Sequence, residues 1–528
     1  MRLVQALFAV ALAAALGDPA AAQTPRDTVV MAKQIDDIVS FDPAEAFESS
    51  GLEATSNLYD KLINFDPKEM TTLRAGLAQS WSIGSDGRTY TIKIRPGVTF
   101  ASGNPVTAQD AVYSIQRAVT LNKAPGFILT QFGLTGDNVL RRVRAVDDAT
   151  LVIETETAMA PVFLYYCLTS SVAAIVDSRI ARANEKDGDF GNGWMKQNSA
   201  GSGAYVLRSW RANEGYSMEA NPTWFRGPAK TRRVVMRHVT EPGTQRLLLE
   251  KGDIDYARSL TKEHIDALRS HPDVAIDRGT KGHIVYLAIN LKHPTLARPG
   301  VSEALKWLVD YDAIERNIVA GTLVPHQAFL PRGFFGGIED RPYKFDLAKG
   351  RELLAKAGLP DGFSVTMDVR ANSPFTEMAQ AIQATWAQAG IRLELLSADT
   401  RQTNTKFRAR KHEIYMGTWG PDYPDPHTNA SVFAMNPDNS DDSRDKTMAW
   451  RNAWDIPDMT KRTLAALEER DQEKRRAFYE DLQREHQRTS PFVIMFQIIE
   501  IAAHRKNVDG YLIGPTADTN YFWNIAKN

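Results

Sequence analysis

Two charged residues in the C-terminal half of the chain follow segments that are typical of strands. Arg370 closes an alternating segment, 365–370, and precedes a Ser-Pro pair that predicts a helix start. A guanidinium beside a helix N-terminus is a favourable site for a carboxylate. The carboxylate can accept two parallel hydrogen bonds from the guanidinium and is also stabilised by the helix dipole. Asp422 lies in a Gly- and Pro-rich loop after Trp419. The plainer interpretations are a structural ion pair for Arg370, a turn role for Asp422 and a core position for Trp419.

Other chemistry-bearing patterns are weak. Cys167 is the single cysteine, so it cannot close an intrachain disulfide, and its apolar run, 162–168, predicts a buried and inert thiol. His427 has no second spaced His or Cys, which makes it a poor metal signal. The sequence contains no Gly-x-Ser-x-Gly, His-Glu-x-x-His or Walker motif. We therefore expect no enzyme, cofactor or resident metal, with an exported hydrolase as the remote alternative.

Composition bounds the class of protein. The 528 residues correspond to three or four domain-sized units. At 43% hydrophobic and 24% charged residues, the chain is typical of globular proteins. Lys plus Arg number 63 against 64 Asp plus Glu, and this balance argues against a nucleic-acid partner.

The N-terminus predicts export. Arg2 is followed by an apolar run, 3–16, and by small residues up to Ala22, which is the pattern of a cleavable signal peptide over 1–22. No cysteine follows the expected cut, so we expect no lipid anchor. No later apolar run is long enough for a membrane span. The predicted location is the periplasm.

The elements that must position Arg370 and Asp422 form a β-α-β-α-β unit. Its first helix is expected to begin with Ser373 as N-cap and Pro374 at N1, and to stop at Gly390. Such a unit favours a parallel sheet with right-handed crossovers, and open sheets of this kind bind ligands at the carboxyl ends of strands. The predicted strands are 365–370, 391–396 and 413–419, with a second, short helix over 405–410.

Elsewhere the same rules predict a mixture of strands and helices. Thr107 is a plausible N-cap for one of these helices. The predicted strands are 90–95, 203–210, 232–239 and 284–290, and the predicted helices are 106–118, 242–251 and 346–358.

Several blocks, in this order and spacing, carry a resemblance that covers essentially the whole mature chain. They are Phe41-Asp-Pro43, Asn57-Leu-Tyr-Asp-Lys-Leu62, Leu77-Ala-Gln-Ser-Trp-Ser82, the run 100–113, Gly201-Ser-Gly-Ala-Tyr205 and the run 301–314. Together they resemble the bacterial extracellular solute-binding proteins, family 5. The resemblance implies an α/β, two-lobed periplasmic binding protein (type II, cluster C-like) with an inserted subdomain and a hinge. It places a discontinuous lobe I at 23–63, 200–283 and 489–528, the inserted subdomain at 64–199 and lobe II at 284–488.

The resemblance also implies a function. It predicts the substrate-binding component of an ABC importer, which captures short peptides, dipeptides above all, between its lobes. The implied partner is an inner-membrane ABC permease with its ATPase subunits, and the expected state is a monomer. The alternative is a receptor for a nickel-type metal chelate or an opine-like anionic conjugate.

The resemblance also implies roles for those residues that match positions in the family's motifs. Arg370 would take the peptide carboxylate, and Asp422, three residues after Trp419, would take the α-amino group. Trp419 would form a stackable wall. Phe47, Ser49, Ser50 and Gly51 would run alongside the peptide, with Gly51 allowing close backbone approach.

Two positions bear on the ligand. Met416 stands where the oligopeptide-binding relatives carry an arginine, which weakens an oligopeptide interpretation. His427 lies in a loop that also resembles that of the nickel-chelate binders, although the loop here has one residue more.

Overall fold

The computed structural model describes residues 24–528, so the predicted signal peptide, 1–22, lies outside the described residues. The strands are β1 (Thr28–Lys33), β2 (Ile63–Asp66), β3 (Glu69–Ala75), β4 (Ala78–Ile83), β5 (Thr89–Ile94), β6 (Val143–Asp147), β7 (Thr150–Glu154), β8 (Tyr205–Arg211), β9 (Gly215–Ala220), β10 (Arg233–His238), β11 (Tyr256–Ala257), β12 (Val274–Ile289), β13 (Leu323–Pro325), β14 (Ser364–Arg370), β15 (Arg392–Ala398), β16 (Ile414–Trp419), β17 (Phe492–Arg505), β18 (Val508–Asp509) and β19 (Ala526–Lys527). The α-helices are α1 (Ser49–Leu58), α2 (Ala108–Leu121), α3 (Phe127–Thr130), α4 (Val139–Arg142), α5 (Pro161–Cys167), α6 (Ser178–Ala183), α7 (Asn192–Met195), α8 (Pro242–Lys251), α9 (Lys262–Leu268), α10 (Val301–Trp307), α11 (Tyr311–Ile314), α12 (Leu347–Lys356), α13 (Phe375–Gln388), α14 (Thr400–Arg408), α15 (His427–Phe433), α16 (Met448–Arg451), α17 (Pro457–Glu468) and α18 (Gln472–Thr489).

One mixed sheet runs through both lobes. Its strand order is β15-β14-β16-β12-β17-β11-β1-β10-β9-β8, and β13 pairs with β17 beside this path. The strands of one half, β14 to β16, are mutually parallel, and β1 is parallel to both β10 and β11 in the other half. This is the two-lobed α/β arrangement that the resemblance implies. The exact lobe and subdomain boundaries stay predictions.

Two long antiparallel strands, β12 and β17, connect the two halves of the sheet. Their pairing is continuous from Val274 to Thr280 and resumes at Ile284, with a shift of register between these stretches. The three residues in the shift, 281–283, interrupt the ladder at the point where the chain passes from one lobe to the other. An irregular ladder at a lobe crossing places side chains where regular pleating would not.

The predicted β-α-β-α-β unit is confirmed as β14-α13-β15-α14-β16. One detail was wrong. Helix α13 begins at Phe375, so neither Ser373 as N-cap nor Pro374 at N1 holds, and Pro374 itself is the N-cap. The carbonyl of Asn372 accepts the N–H groups of Phe375 (3.0 Å) and Thr376 (3.2 Å), so a backbone turn takes the place of a serine cap. The second helix, α14, also starts earlier than predicted because Asp399 caps it.

A four-stranded antiparallel sheet, β4-β5-β7-β6, lies within the segment predicted as the inserted subdomain. Helix α2 packs on this sheet, and its predicted N-cap Thr107 is confirmed, with the Thr107 N–H donating to the Asp110 carboxylate at 3.0 Å. A buried ion pair between Arg117 and Asp42 joins this region to the N-terminal segment. Since both side chains are almost fully buried, removal of either would leave an uncompensated charge.

Cys167 is buried at the end of α5, as predicted, and burial raises the pKa of its thiol well above the ordinary value. Separate apolar cores fill the two lobes and the segment around β5. Across residues 24–528, the structure holds no helix with the length and apolar character that a membrane crossing needs.

Candidate ligand-binding cleft

A large cavity of about 1190 Å³ lies at the crossing of β12 and β17. Lys281 and His283, from the interrupted part of β12, line it together with Glu500 of β17. Helix α13 contributes Phe375, and the C-terminal segment contributes Asn520. The volume exceeds the roughly 300–1,000 Å³ of typical small-molecule sites, so the cavity can hold a ligand with sizeable side groups.

A connected set of charges forms the floor of this cavity, which we call the charged floor: Lys33, Glu53, Arg258, Lys281 and Glu500. Arg258 donates to Glu53 through both terminal nitrogens at 2.7 Å each, and it also pairs with Glu500. Burial opposes ionisation of Glu53, but Arg258 and Lys33 outweigh it and lower the pKa of that carboxyl. The floor therefore consists of ionised side chains that largely satisfy one another.

A smaller cavity of about 140 Å³ adjoins the large one and shares Ser49, His283 and Ala517 with it. Asp422 lines this smaller cavity from the loop after β16, and Phe47 lines it from the segment before α1. Burial and the nearby Lys281 lower the pKa of His283 to about 4, so its imidazole is neutral at pH 7. The two cavities together form a cleft between the lobes.

The carboxylate of Asp422 has no hydrogen-bond or ion-pair partner among residues 24–528. Burial alone raises the pKa of this carboxyl to about 7. Its backbone is held in place: the Asp422 N–H donates to the Thr428 hydroxyl at 2.9 Å, and the Ser170 hydroxyl donates to the Asp422 carbonyl at 3.2 Å. A half-buried carboxylate without a partner among the described residues is a site for a cation.

Arg370 ends β14 in the same lobe. Its Nη2 donates to the Thr418 hydroxyl at 3.1 Å, and its guanidinium lies over the Phe375 ring at 5.1 Å. Ser373 and Pro374, in the turn that follows, line the large cavity beside Phe375. The turn after Arg370 thus reaches the cleft, although Arg370 itself is not among the residues that line either cavity. Among residues 24–528, its Nε has no hydrogen-bond partner.

The other predicted site residues fall into two groups. Phe47 and Ser49 line the cleft with Asp422. Ser50 and Gly51 lie in α1, where Ser50 is buried with its N–H donating to Asp37 at 3.0 Å. A Cβ on Gly51 would meet Ser40 and Ala46 at ordinary contact distance. Their predicted ligand roles stay predictions.

Trp419 and His427 are held by protein contacts. The Trp419 indole donates to Asn429 at 3.2 Å and packs against Phe433. His427 is buried against Phe163, and burial lowers its pKa to about 4. Within residues 24–528, no group of three or more His, Cys, Asp or Glu side chains is arranged to hold a metal ion.

Comparison with known proteins decides the family. The model of the bacterial extracellular solute-binding proteins, family 5 Middle, matches residues 72–441, well over half of the chain. The chain belongs to this family. The members of this family are extracellular solute-binding proteins.

Proteins that are similar to this chain in sequence or in fold differ in the ligand that their names give. The probable D,D-dipeptide-binding periplasmic protein DdpA of Escherichia coli (strain K12) is 25% identical over 94% of this chain and 93% of the relative. The periplasmic binding protein DppA from Helicobacter pylori, solved with the peptide STSA, has a TM-score of 0.79 at 23% identity and covers 95% and 98% of the two chains. NikZ from Campylobacter jejuni, solved with Ni(L-His), has a TM-score of 0.77 at 19% identity, with 96% and 100% covered. Because these ligands are unlike, the ligand must be argued from the cleft.

Sequence reasoning missed the charged floor. Glu53 and Arg258 are 205 positions apart, and no local pattern connects them. One signal was available: Lys281-Gly-His283 precedes the apolar run 284–289 directly, and two titratable residues around a glycine at the start of a buried strand indicate a break in its ladder.

Proposed function

We propose that this family 5 protein is the periplasmic substrate-binding component of an ABC importer and captures short peptides, dipeptides above all. It acts as a monomer and delivers the peptide to an inner-membrane permease with its ATPase subunits. The names of DdpA, for D,D-dipeptides, and the peptide complex of DppA support this assignment.

The unpaired carboxylate of Asp422 is the observation that carries the proposal. An ionised carboxylate in an enclosed site is costly unless a cation compensates it. The described residues supply none, and the adjoining cavity gives access to the cleft. A peptide ammonium supplies the missing charge and three N–H donors. Asp422 is therefore assigned to the ligand's α-amino group.

Arg370 is assigned to the peptide carboxylate. Its guanidinium has one protein hydrogen bond, to Thr418, and its Nε is buried without a partner among the described residues. Arg370 and Asp422 follow strands β14 and β16, which are adjacent and parallel, so both anchors lie at the same edge of the sheet. Two charged groups at a fixed separation restrict the length of the peptide, because each added residue extends a peptide by roughly 3.3–3.6 Å.

Calorimetry with free, N-acetylated and C-amidated Ala-Ala at pH 8 tests both anchors. Acetylation should weaken binding by about 2–5 kcal/mol, since it leaves Asp422 buried and unpaired. Asp422→Asn should lose a similar amount for the free dipeptide, and Arg370→Ala should do the same through the carboxylate. Glu377→Gln, which removes an exposed carboxylate from the wall of the large cavity, is the matched control and should keep wild-type affinity.

Equal affinity of the wild type for free and blocked dipeptides would contradict the proposal. The nickel-type chelate alternative rests on His427, and the burial of that side chain against Phe163 does not favour it. The opine-like conjugate stays an alternative that does not depend on His427. Native mass spectrometry of the protein as purified separates the peptide from the chelate, since a co-purified peptide and a bound metal differ in mass.

A further inference from the structure

The cations of the charged floor differ in how fully protein groups engage them. The floor contains three cationic side chains, Lys33, Arg258 and Lys281, and two carboxylates, Glu53 and Glu500. Neither carboxylate is protonated at pH 7, because the neighbouring cations lower both pKa values against the effect of burial. Glu241, Glu263 and Glu377 also line the large cavity, and burial lowers the pKa of Lys281, so the balance of charge alone selects no ligand. The hydrogen bonds that each cation makes distinguish Lys281 and Arg258 from Lys33.

Lys281 is engaged by several protein groups. Its ammonium donates to the carbonyls of Gly514 (2.6 Å) and Thr516 (3.2 Å) and to the Asn520 side-chain oxygen (2.7 Å), and it pairs with Glu500 at 3.0 Å. Its three protons are fully used. Arg258 is likewise engaged by both carboxylates.

Lys33 is the cation that remains available. Across residues 24–528, its Nζ makes no hydrogen bond, and its one carboxylate contact within 4 Å is Glu53 at 3.6 Å. That carboxylate already accepts from Arg258 and from Asn520 at 2.7 Å. Lys33 lines the large cavity at the end of β1, the carboxyl end of a strand that is parallel to both of its neighbours. An ammonium with free donors in such a place suits an anionic ligand group.

We propose that Lys33 binds an anionic side group of the ligand, so that the protein prefers short acidic peptides, which carry a carboxylate in addition to the terminal one. This inference rests on the proposed function and narrows its substrate class. Asp422 and the unused donors of Lys33 then have complementary partners on one ligand: Asp422 for the ammonium and Lys33 for the additional carboxylate.

The position of Lys33 also explains how such a ligand would hold the lobes together. Asp422 and Arg370 follow β16 and β14 and lie in the same lobe, so these two anchors alone do not connect the lobes. Lys33 ends β1 in the other lobe, across β12 and β17. A ligand that contacts both lobes binds the closed form better than the open form and therefore shifts the population toward closure.

Calorimetry at pH 8 with two pairs of near-isosteric dipeptides tests the inference: Ala-Glu against Ala-Gln, and Glu-Ala against Gln-Ala. In at least one pair the acidic member should bind about 10-fold or more tightly than the amide, which is the range of a charge-assisted hydrogen bond. Lys33→Met should abolish this preference while retaining affinity for the amides, and Lys33→Arg should keep it. Lys262→Met is the matched control, because this cavity lysine is already paired with Asp266 at 2.6 Å, and it should leave the preference unchanged.

The possible results distinguish a failure of the Lys33 assignment from a failure of the peptide-receptor function. If the amides bind but neither acidic member binds better, or if the preference persists in Lys33→Met, the inference about Lys33 is overturned and the peptide-receptor function stands. If none of the four peptides binds to the wild type, the proposed function fails with it. Retained binding of Ala-Gln or Gln-Ala by Lys33→Met shows that the variant is folded.

Discussion

Two aspartates in the loop after β16 differ in their surroundings although only three positions separate them. Asp425 is fully buried, accepts from Arg475 at 2.8 Å and caps its own turn through the His427 N–H at 2.9 Å. Asp422 has a carboxylate that no other side chain of the described part of the chain contacts by a hydrogen bond or ion pair, and it lines the smaller cavity. One residue type thus stabilises the loop at one position and faces the ligand space at the other.

In this loop, the aspartate that holds the loop in place and the aspartate that faces the ligand space are different residues. Arg475 reaches Asp425 from α18, so the loop is fixed from the interior by a paired charge. Thr428 and Ser170 hold the Asp422 backbone, so its carboxylate starts from a fixed main-chain position beside the smaller cavity. A pre-positioned and unsatisfied charge favours the ligand over solvent.

The largest expected effect is on the stability of the protein and concerns Asp425, the aspartate that fixes the loop. Asp425→Asn leaves the buried Arg475 charge uncompensated and should lower the free energy of unfolding by about 3–5 kcal/mol. Asp422→Asn should change it little, or increase it, because this variant removes a half-buried charge that has no partner among residues 24–528. Urea unfolding of both variants beside the wild type measures the contrast, and equal destabilisation by the two substitutions would refute the division of roles.

The second expected effect is on the pH dependence of peptide binding, which should follow the ionisation of the Asp422 carboxyl. Burial raises its pKa to about 7, so the unliganded carboxyl is increasingly protonated as the pH falls below 7. A peptide ammonium needs the ionised form, so affinity should rise with pH and level off above about 7. Below 7 it should fall by up to about 10-fold per pH unit, or about 1.4 kcal/mol.

Calorimetry of a neutral dipeptide between pH 5 and 8 measures this slope. In buffers of different ionisation enthalpy at pH 7, the wild type should release a fraction of a proton on binding. Asp422→Asn should show neither the slope nor the release. A wild-type affinity that is constant from pH 5 to pH 8 would show that the ligand does not pair with this carboxyl.

The smallest expected effect concerns the hydrogen bond between the Asp422 N–H and the Thr428 hydroxyl. Thr428→Val removes the hydroxyl that accepts the Asp422 N–H and should weaken dipeptide binding by about 1 kcal/mol. Thr428→Ser retains the hydroxyl and serves as the control, with affinity near that of the wild type. If valine and serine behave alike in calorimetry, the backbone bond does not position the carboxylate.

The sequence by itself determined much of the second lobe. Alternating and capped segments predicted β14, α13, β15 and β16 with their parallel order, and the resemblance placed Arg370 and Asp422 after two of those strands. These predictions succeed because strand periodicity, the glycine stop at Gly390 and crossover handedness are local or near-local properties. The start of α13 was wrong by one or two residues, because the turn at Asn372 satisfies the first N–H groups without a serine cap.

Only the tertiary structure decided which charges are paired. In the sequence, Asp422 and Asp425 are equivalent turn residues, and the difference arises because Arg475, some 50 positions away, packs against one of them. Lys33, Glu53, Arg258 and Glu500 come together from four distant segments, and the single unused ammonium becomes visible once every partner is counted. The physical reason is that the cost of a buried charge depends on all neighbours within a few ångströms, and chain folding, not sequence spacing, sets those neighbours.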